Sequence, residues 1–431
     1  MTSPLSGPTL IHLPVASSST DMVTSMLDTT ARMAAADWTN PHLTKSPDVP
    51  AGRVIGSIVG EHAGPTLIIT CGIHGNERAG VLAAKRVLAT LERRKTRLKG
   101  EIIAISGNLA GMRLGVRYQV RDLNRVWTDA RVADVEERAA KGAALDAEDV
   151  EQLEMLKEIR GAIARARGSV HLIDCHSTSA QGFPFILFGD TIRQRKFATA
   201  IPLPIVMGLE EHLDGVLSAY WSTQGVISMG VEGGQHDDPG TIDNLEAVML
   251  LGAESAGLFG AGTIIETATA HAMCERKRGN LPHVLEILSR RAITKDDEFV
   301  MEPGFANLAE VRAGRLLARD KNGEIRAPKD GFIILPLYQG QGAEGFFWGR
   351  EMSPTRMRLS EALRTMKVDR FLHLLPGVER TMQSKDGKGK TRLMVNTNIA
   401  TFYPRDVFHM LGFRRIRNQE AELIVERPPE Q

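Results

Sequence analysis

The sequence predicts an α/β fold with a largely parallel sheet that helices cover on both faces. From Arg53 onward, short runs rich in β-branched residues alternate with longer helical patterns. Such alternation is typical of parallel sheets whose strands are buried on both sides. At 431 residues the chain is long enough for one full-sized domain and one or two smaller ones.

The elements of this main domain follow from its apolar runs and the polar stretches between them. The predicted strands are Val54–Val59, Thr66–Cys71, Glu101–Ser106, Val170–Asp174, Phe185–Phe188 and Val226–Glu232. The predicted helices between them are Glu77–Leu98, Ala147–Ala166 and Ile242–Leu258. A further helical pattern at Pro282–Arg291 is expected to precede the end of the domain near Thr294.

Both ends of the chain have a different character. The first 50 residues are rich in Ser, Thr and Pro and are predicted to form an extension, with an apolar run at Thr9–Val15 and a helical pattern at Thr20–Ala35. After Thr294, glycine-punctuated runs predict a small β domain, with strands at Glu310–Ala318, Gly331–Leu337 and Gly345–Trp348. A small α/β appendage follows, with a charged loop at Ser384–Lys390, strands at Arg392–Val395 and Ala421–Val425, and a helix at Pro404–Leu411. We therefore expect four regions, at residues 1–50, 51–294, 295–355 and 356–431.

Composition narrows the class of partner and the compartment. A formal net charge of +1 gives no overall field that would attract nucleic acid or an anionic membrane. Three cysteines form no disulfide framework, and the start of the chain lacks a secretory pattern. We expect a cytoplasmic protein with a small-molecule partner, no nucleic-acid partner and no membrane partner, and the sequence leaves its oligomeric state open, a homo-oligomer included.

Candidate metal ligands follow two of the predicted strands. His74 and Glu77 lie on a glycine-flanked turn directly after Thr66–Cys71, and His176 ends the apolar run that begins at Val170. The carboxyl ends of strands in such sheets collect ligand-binding groups, so these three side chains are expected to meet there. Two histidines and one glutamate leave a fourth position for water, which is typical of a catalytic zinc. The sequence therefore predicts one Zn²⁺ per chain. Ser177 or Thr178 is expected to orient the site from outside the ligand set.

The remaining catalytic groups come from two further segments. Glu232 ends another predicted strand and is the candidate general base, which would take a proton from zinc-bound water and pass it to the leaving nitrogen. Arg117 is suited to stabilise a developing oxyanion. Asn124 and Arg125 are suited to grip a substrate carboxylate.

These motifs, taken together, resemble those of the succinylglutamate desuccinylase and aspartoacylase family, a branch of the zinc carboxypeptidase group. The matching segments read HGNE at 74–77, RY with DLNR between 117 and 125, DCHST at 174–178, and VEGG at 231–234. Cys175, where leucine is more usual, and Gly233, where serine or threonine is commoner, depart from the family pattern without removing a functional group. The resemblance spans about residues 50 to 350.

The resemblance implies a fold and an activity. It implies a three-layer α/β/α catalytic domain with a mixed, mostly parallel sheet, followed by a small β domain. It also implies that His74, Glu77 and His176 bind zinc, that Glu232 is the general base, and that Arg117, Asn124 and Arg125 contact the substrate. The expected activity is hydrolysis of an N-acyl amino acid or a similar small amide with a carboxylate.

The sequence leaves two other functional hypotheses open and argues against three other kinds of site. A carboxypeptidase or amidase acting on a peptide or specialised metabolite would use the same zinc chemistry, and a zinc protein that serves assembly without turnover is a third hypothesis. The GxGxxG pattern at 340–345 is followed by the strand-like Phe346–Gly349 rather than a helix, which argues against a dinucleotide site. His271, Cys274 and His283 lack the spacing of a second metal site, and the absence of a GxSxG elbow argues against a serine hydrolase.

Overall fold

The computed structural model describes residues 49–93, 98–374, 376–380, 391–396, 405–413, 415–419 and 422–427. All of them fall within one unit that spans Ser46–Gln431. The apolar run and the helical pattern expected before residue 50, and the charged loop at Ser384–Lys390, lie outside the described residues. None of the described helices is both long enough and apolar enough to cross a bilayer.

One mixed sheet organises most of the structure. Its eleven strands lie in the order β1-β3-β2-β4-β7-β5-β6-β8-β14-β13-β10. The strand bounds, in chain order, are β1 Val54–Val59, β2 His62–Cys71, β3 Lys99–Ser106, β4 Val170–Thr178, β5 Phe185–Phe188, β6 Ile205–Met207, β7 Ile227–Gln235, β8 Val284–Ala292, β9 Val300–Met301, β10 Ala309–Val311, β11 Leu316–Asp320, β12 Gly323–Arg326, β13 Gly331–Ile334 and β14 Glu344–Glu351. The central strands β3, β2, β4 and β7 are mutually parallel, whereas β1, β5 and β14 each make an antiparallel pair.

Helices cover this sheet on both sides. Their bounds are α1 Ala79–Arg93, α2 Leu109–Leu114, α3 Asp129–Ala140, α4 Ala147–Ala164, α5 Ile192–Thr199, α6 Leu209–His212, α7 Leu217–Thr223, α8 Pro239–Ala256 and α9 Ile265–Arg278. Successive side chains of a strand point to opposite faces, so β2 contributes Leu67 and Ile69 to a core with α1 and α8, and Ile68 to a core with α4 and α7. The α/β class and its mixed, mostly parallel sheet are therefore confirmed.

Two smaller sheets complete the described part of the chain. β9, β11 and β12 form a three-stranded sheet. The appendage contains α10 Pro354–Thr365, α11 Arg405–Met410, β15 Val378–Arg380, β16 Thr391–Asn396, β17 Arg415–Gln419 and β18 Glu422–Arg427. Its four strands pair antiparallel around a core that includes Leu393 and Phe408.

Three sequence predictions need correction. Pro282–Arg291 is not a helix: Val284–Ala292 is strand β8, parallel to β6 and antiparallel to β14. Its apolar residues pack within the sheet, and tertiary pairing overrides a local helical pattern. The predicted strand Glu310–Ala318 is two strands, β10 and β11, joined through Gly314, which has a positive φ. The helix predicted from Glu77 begins at Ala79, because Glu77 belongs to the preceding turn.

The predicted β domain shares the main sheet. β8 hydrogen-bonds to β14, and β13 and β10 follow β14 outward, so main-sheet pairing crosses the boundary expected near Thr294. This arrangement places the loop between β13 and β14 beside the carboxyl edge of the sheet. The division of the chain into four regions stays a prediction from sequence pattern.

A buried ion pair joins the appendage to the main sheet. Arg364 of α10 donates from Nη2 to the main-chain oxygen of Asp190 over 2.5 Å, and its Nη1 lies 3.3 Å from the Asp190 carboxylate. Arg195 also donates to that carboxylate, over 2.5 Å. Both members of the Arg364–Asp190 pair are fully buried.

We expect Arg364→Met to lower the free energy of unfolding by about 3 kcal/mol, because removing one member of a buried pair leaves the other charge undercompensated. Chemical denaturation followed by circular dichroism measures this change. Arg312→Met is the matched control, since Arg312 pairs with Asp330 at the surface and such pairs contribute little. Equal losses of unfolding free energy in Arg364→Met and Arg312→Met would contradict a stabilising role for the buried Arg364–Asp190 pair.

Candidate metal centre and active site

The three predicted ligands meet at the carboxyl edge of the central strands. His74 follows β2, His176 lies near the end of β4, and all three residues are buried. The Glu77 carboxylate faces both imidazoles, with Oε1 2.7 Å from His74 Nδ1 and Oε2 3.2 Å from His176 Nδ1. One potential ligand atom from each residue lies within 4.8 Å of the other two, so the group could hold a metal ion.

Glycine lets the ligand turn form. Gly72 has φ +68°, and Gly75 lies between the two ligands with its N–H donating to Arg117 O over 3.0 Å. A Cβ at Gly75 would collide with the backbone of Gly111 and Met112. The turn therefore needs a residue without a side chain at position 75.

We expect Gly75→Ala to weaken metal binding at least tenfold and to lower the melting temperature, because the collision displaces the segment that carries His74 and Glu77. Metal titration and thermal unfolding test this. Gly52→Ala is the control, since a Cβ at Gly52 meets nothing within 4 Å. Unchanged metal affinity in Gly75→Ala would contradict this account of the turn.

Each histidine has a carboxylate behind it. His74 Nε2 lies 3.1 Å from Asp122 Oδ1, and His176 Nε2 lies 2.9 Å from Asp174 Oδ2. A tautomer with its proton on Nε2, facing the aspartate, leaves the Nδ1 lone pair on the Glu77 side. Carboxylate partners of this kind orient metal-binding histidines and raise their basicity.

Ser177 or Thr178 was expected to orient the metal ligands, but in the structure this role falls to Asp174 and to the backbone N–H of Ser177. Asp174, held by a 2.7 Å bond from Thr70, orients the His176 ring. Ser177 contributes through its backbone N–H, which donates to Glu77 Oε2 over 3.1 Å. Asp174 is a supporting residue that was not predicted from the sequence, although it lies two residues before His176 and strand periodicity places both on one face.

Asp122 organises the segment between Arg117 and Arg125. Its side chain accepts the N–H of Asn124 over 2.8 Å and so caps the short 3₁₀ turn Leu123–Arg125. The same carboxylate accepts from Arg117 Nη2 over 2.9 Å. Arg117 Nη1 lies 3.4 Å from Glu77, so the guanidinium stands at the edge of the candidate metal centre.

Asn124 and Arg125 both line the pocket and have protein partners. Asn124 Oδ1 accepts the N–H of Leu217 over 2.8 Å, and its amide nitrogen lies 3.4 Å from His176 Nε2. Arg125 donates to the main-chain oxygen of Asn124 over 2.9 Å and to Glu344 over 3.1 Å. These two bonds engage only part of the five N–H groups of its guanidinium.

Glu232 faces the same pocket from β7. Its Oε2 atom is buried and, within the described residues, has no hydrogen-bond partner. Burial raises its pKa to about 8, an effect that Glu77 reinforces and that His176 and Arg117 oppose. Burial would also raise the pKa of Glu77, but the two facing histidines outweigh it and hold that pKa well below its usual range. The two carboxylates thus differ in the charge that their surroundings favour.

The predicted residues therefore converge on one pocket. His74, Glu77, His176, Glu232, Arg117, Asn124 and Arg125 all line it. Glu344 was not predicted from the sequence, because β14 lies far along the chain from Arg125 and the shared sheet brings the two residues together. GxGxxG at 340–345 leads into β14, a strand, as the sequence analysis expected.

The fold and this site define an α/β protein with a candidate metal centre at the carboxyl edge of its central strands. A family model described as the succinylglutamate desuccinylase/aspartoacylase catalytic domain matches residues 63–250. Over this segment, which is less than half of the chain, the protein is similar to the succinylglutamate desuccinylase/aspartoacylase family.

Individual relatives agree with this similarity. A succinylglutamate desuccinylase of Photorhabdus laumondii is 39% identical over 77 residues, which is 18% of this chain and 24% of that protein. The chain thus aligns with about a quarter of that curated relative's length.

A solved succinylglutamate desuccinylase from Vibrio parahaemolyticus matches with TM-score 0.50 and 13% identity, over 74% of this chain and 97% of that one. A succinylglutamate desuccinylase/aspartoacylase from Rhodobacter sphaeroides matches with TM-score 0.50 and 17% identity, over 69% and 88%. At these identities the two structures support the fold.

Proposed function

We propose that the protein is a zinc-dependent deacylase that hydrolyses the amide bond of an N-acyl amino acid or a similar small carboxylate-bearing amide. One observation carries the proposal: a two-histidine, one-glutamate group shares a pocket with a buried glutamate that lacks a hydrogen-bond partner among the described residues. Similarity of residues 63–250 to the family's catalytic domain supports the reaction class. A cytoplasmic location stays a prediction from the sequence.

The donor set fits zinc. Two imidazoles and one carboxylate are ligands that zinc prefers, and three protein ligands are typical of catalytic sites. His74, Glu77 and His176 would hold the ion, with Asp122 and Asp174 orienting the two rings. When bound, zinc supplies Lewis-acid chemistry, which lowers the pKa of water and polarises a carbonyl.

Glu232 is suited to move the proton. Its pKa of about 8 belongs to a buried carboxyl group in the absence of a cation, and a cation held by the neighbouring ligands would favour its ionised form. The carboxylate would accept a proton from the attacking water and then donate it to the leaving nitrogen. Its Oε2 has no hydrogen bond to another described residue that would have to break first.

The two arginines would hold the substrate. Arg117, fixed by Asp122, lies beside the metal ligands and would stabilise negative charge on the carbonyl oxygen. Arg125, together with Asn124, would bind the substrate carboxylate through its remaining N–H groups.

A substrate screen tests the proposed reaction. The zinc-loaded protein is incubated with N-acyl amino acids, the corresponding N-acyl amino acid amides, and short unblocked peptides, and free amine is quantified. We expect the N-acyl amino acids to be hydrolysed with the highest kcat/KM, the N-acyl amino acid amides with a higher KM because they lack the carboxylate, and the peptides not at all. Preferential cleavage of peptides would favour the carboxypeptidase hypothesis, and zinc binding without turnover of any compound would overturn the deacylase assignment.

We expect Arg125→Ala to raise KM for carboxylate substrates by about 10- to 100-fold, because a charge-assisted hydrogen bond contributes about 1.5–3 kcal/mol. Its effect on kcat should be small. Steady-state kinetics test this, with N-acyl amino acid amides as the control because they lack the carboxylate. An equal KM increase for acids and amides would contradict the carboxylate-binding role.

A further inference from the structure

The pocket that contains the candidate active site has an apolar side. Three residues come from the segment that includes α6, two follow β13, and one lies on β14. We call this set the apolar wall: Leu209, Leu213, Val216, Leu335, Leu337 and Phe347. It belongs to the same pocket as His74 and Glu232, so a molecule held at the catalytic groups can also reach it.

The positively charged side chains that line the pocket are already paired with carboxylates of the protein. Among the described residues that line the pocket, Arg117 and Arg125 are the only ones with a positively charged lysine or arginine side chain. Arg117 donates to Asp122 over 2.9 Å, and Arg125 donates to Glu344 over 3.1 Å. Arg290 also lies 3.7 Å from Glu344. Such a pocket can bind one substrate carboxylate, whereas a second one would lie against carboxylates or apolar side chains.

Leu335 occupies an unfavourable backbone conformation. Its φ is +52°, a left-handed value that costs free energy in a residue with a large side chain. The side chain of Asn307 holds this conformation, since its Oδ1 accepts the Leu335 N–H over 2.7 Å. Strained residues that persist in this way cluster at ligand-binding sites.

Asn307 also ties Leu335 to the catalytic strand. Its amide nitrogen donates to Thr178 Oγ1 over 2.9 Å, and Thr178 lies two residues after His176 on β4. Asn307 is buried, and its bond to Thr178 is shielded from water. The position of Leu335 is thereby fixed relative to the metal ligands.

We infer that the apolar wall binds an aliphatic group of the substrate, with Leu335 as a specificity-determining residue. The inference rests on the proposed amide hydrolysis and narrows its substrate class. The preferred substrate carries one carboxylate and one aliphatic group of several carbons, and a succinyl group, with its terminal carboxylate, is disfavoured. The aliphatic group is either the acyl chain or the amino-acid side chain.

Two substrate series distinguish these sources. One extends the acyl chain from acetyl to octanoyl on a fixed amino acid, and the other keeps acetyl and varies the side chain from alanine to norleucine. In one series we expect kcat/KM to rise by up to about fourfold per methylene until the wall is covered. Flat profiles in both series, or a preference for succinyl over butanoyl, would overturn the inference while leaving the proposed hydrolysis intact.

Substitution of Leu335 tests the residue itself. Glycine accepts a positive φ, so Leu335→Gly removes the side chain without adding backbone strain. In Leu335→Gly we expect the rise in kcat/KM with the length of the aliphatic group to be at least threefold smaller than in the native protein. Lys367→Gly is the matched control, because Lys367 has φ +56° but is exposed and lies outside this pocket. An unchanged profile in Leu335→Gly, or an equal change in Lys367→Gly, would overturn the role of Leu335.

A binding measurement separates failure of the inference from failure of the proposed function. Calorimetric titration with acetate, butanoate, hexanoate and octanoate should show affinity rising with length in the native protein and less so in Leu335→Gly. Rising affinity without hydrolysis of any amide would support the apolar wall and overturn the deacylase assignment. Affinity independent of length would overturn the apolar wall.

Discussion

The Glu232→Gln protein is expected to hydrolyse N-acyl amino acids about 10³-fold more slowly than the native protein while it keeps one zinc per chain. General acid–base catalysis contributes about 10²- to 10⁴-fold, and the proposal gives both proton transfers to this one residue. Glutamine keeps the size of the side chain but cannot accept the proton. Because Glu232 lies outside the ligand group, metal content should not change.

The measurement combines steady-state kinetics with metal analysis on the same samples. The matched control is Glu137→Gln, which alters an exposed carboxylate that pairs with Lys141 at the surface. We expect this control to keep native kcat and zinc content. Loss of zinc from Glu232→Gln would instead make Glu232 part of the metal site, and native turnover in that variant would remove it from the mechanism.

The second large effect is expected for His176→Ala, which should lose stoichiometric zinc and with it all measurable hydrolysis. Loss of His176 removes one of three ligands and leaves Glu77 without one of the two histidines that stabilise its charge. Equilibrium dialysis against buffered zinc measures the affinity. Loss of a supporting carboxylate lowers metal affinity about 10- to 100-fold. We therefore expect the zinc affinity of Asp174→Asn to lie between that of His176→Ala and that of the native protein.

Asp174→Asn also serves as a structural control. It retains the size of the side chain that accepts the Thr70 hydroxyl but removes the negative charge behind the imidazole. Equal zinc affinity in His176→Ala and the native protein would show that the metal binds elsewhere. Equal affinity in Asp174→Asn and the native protein would show that the carboxylate does not support the ligand.

The central part of the fold could be predicted because its signals are local. Thr66–Cys71 and Val170–Asp174 are apolar runs in a parallel sheet, and the groups that follow them must lie at its carboxyl edge. His74, Glu77 and His176 could therefore be predicted as a group from the sequence alone. Glu232 could be added because it ends the predicted strand Val226–Glu232. In the structure that strand, β7, lies beside β4.

The parts that could not be predicted depend on contacts distant in sequence. Val284–Ala292 is a strand because β6 and β14 flank it, and nothing in its own pattern requires that. Glu344 meets Arg125 across 219 positions of sequence. The left-handed Leu335 follows from its bond to Asn307, whereas a regular strand was expected to continue to Leu337.

The most direct test of the account is zinc content and N-acyl amino acid hydrolysis measured together for the native and Glu232→Gln proteins. We expect one zinc per chain in both proteins, with turnover in the native protein and about 10³-fold less in the variant. Native protein that contains no stoichiometric metal after purification without chelators, or equal turnover in the two proteins, would contradict it.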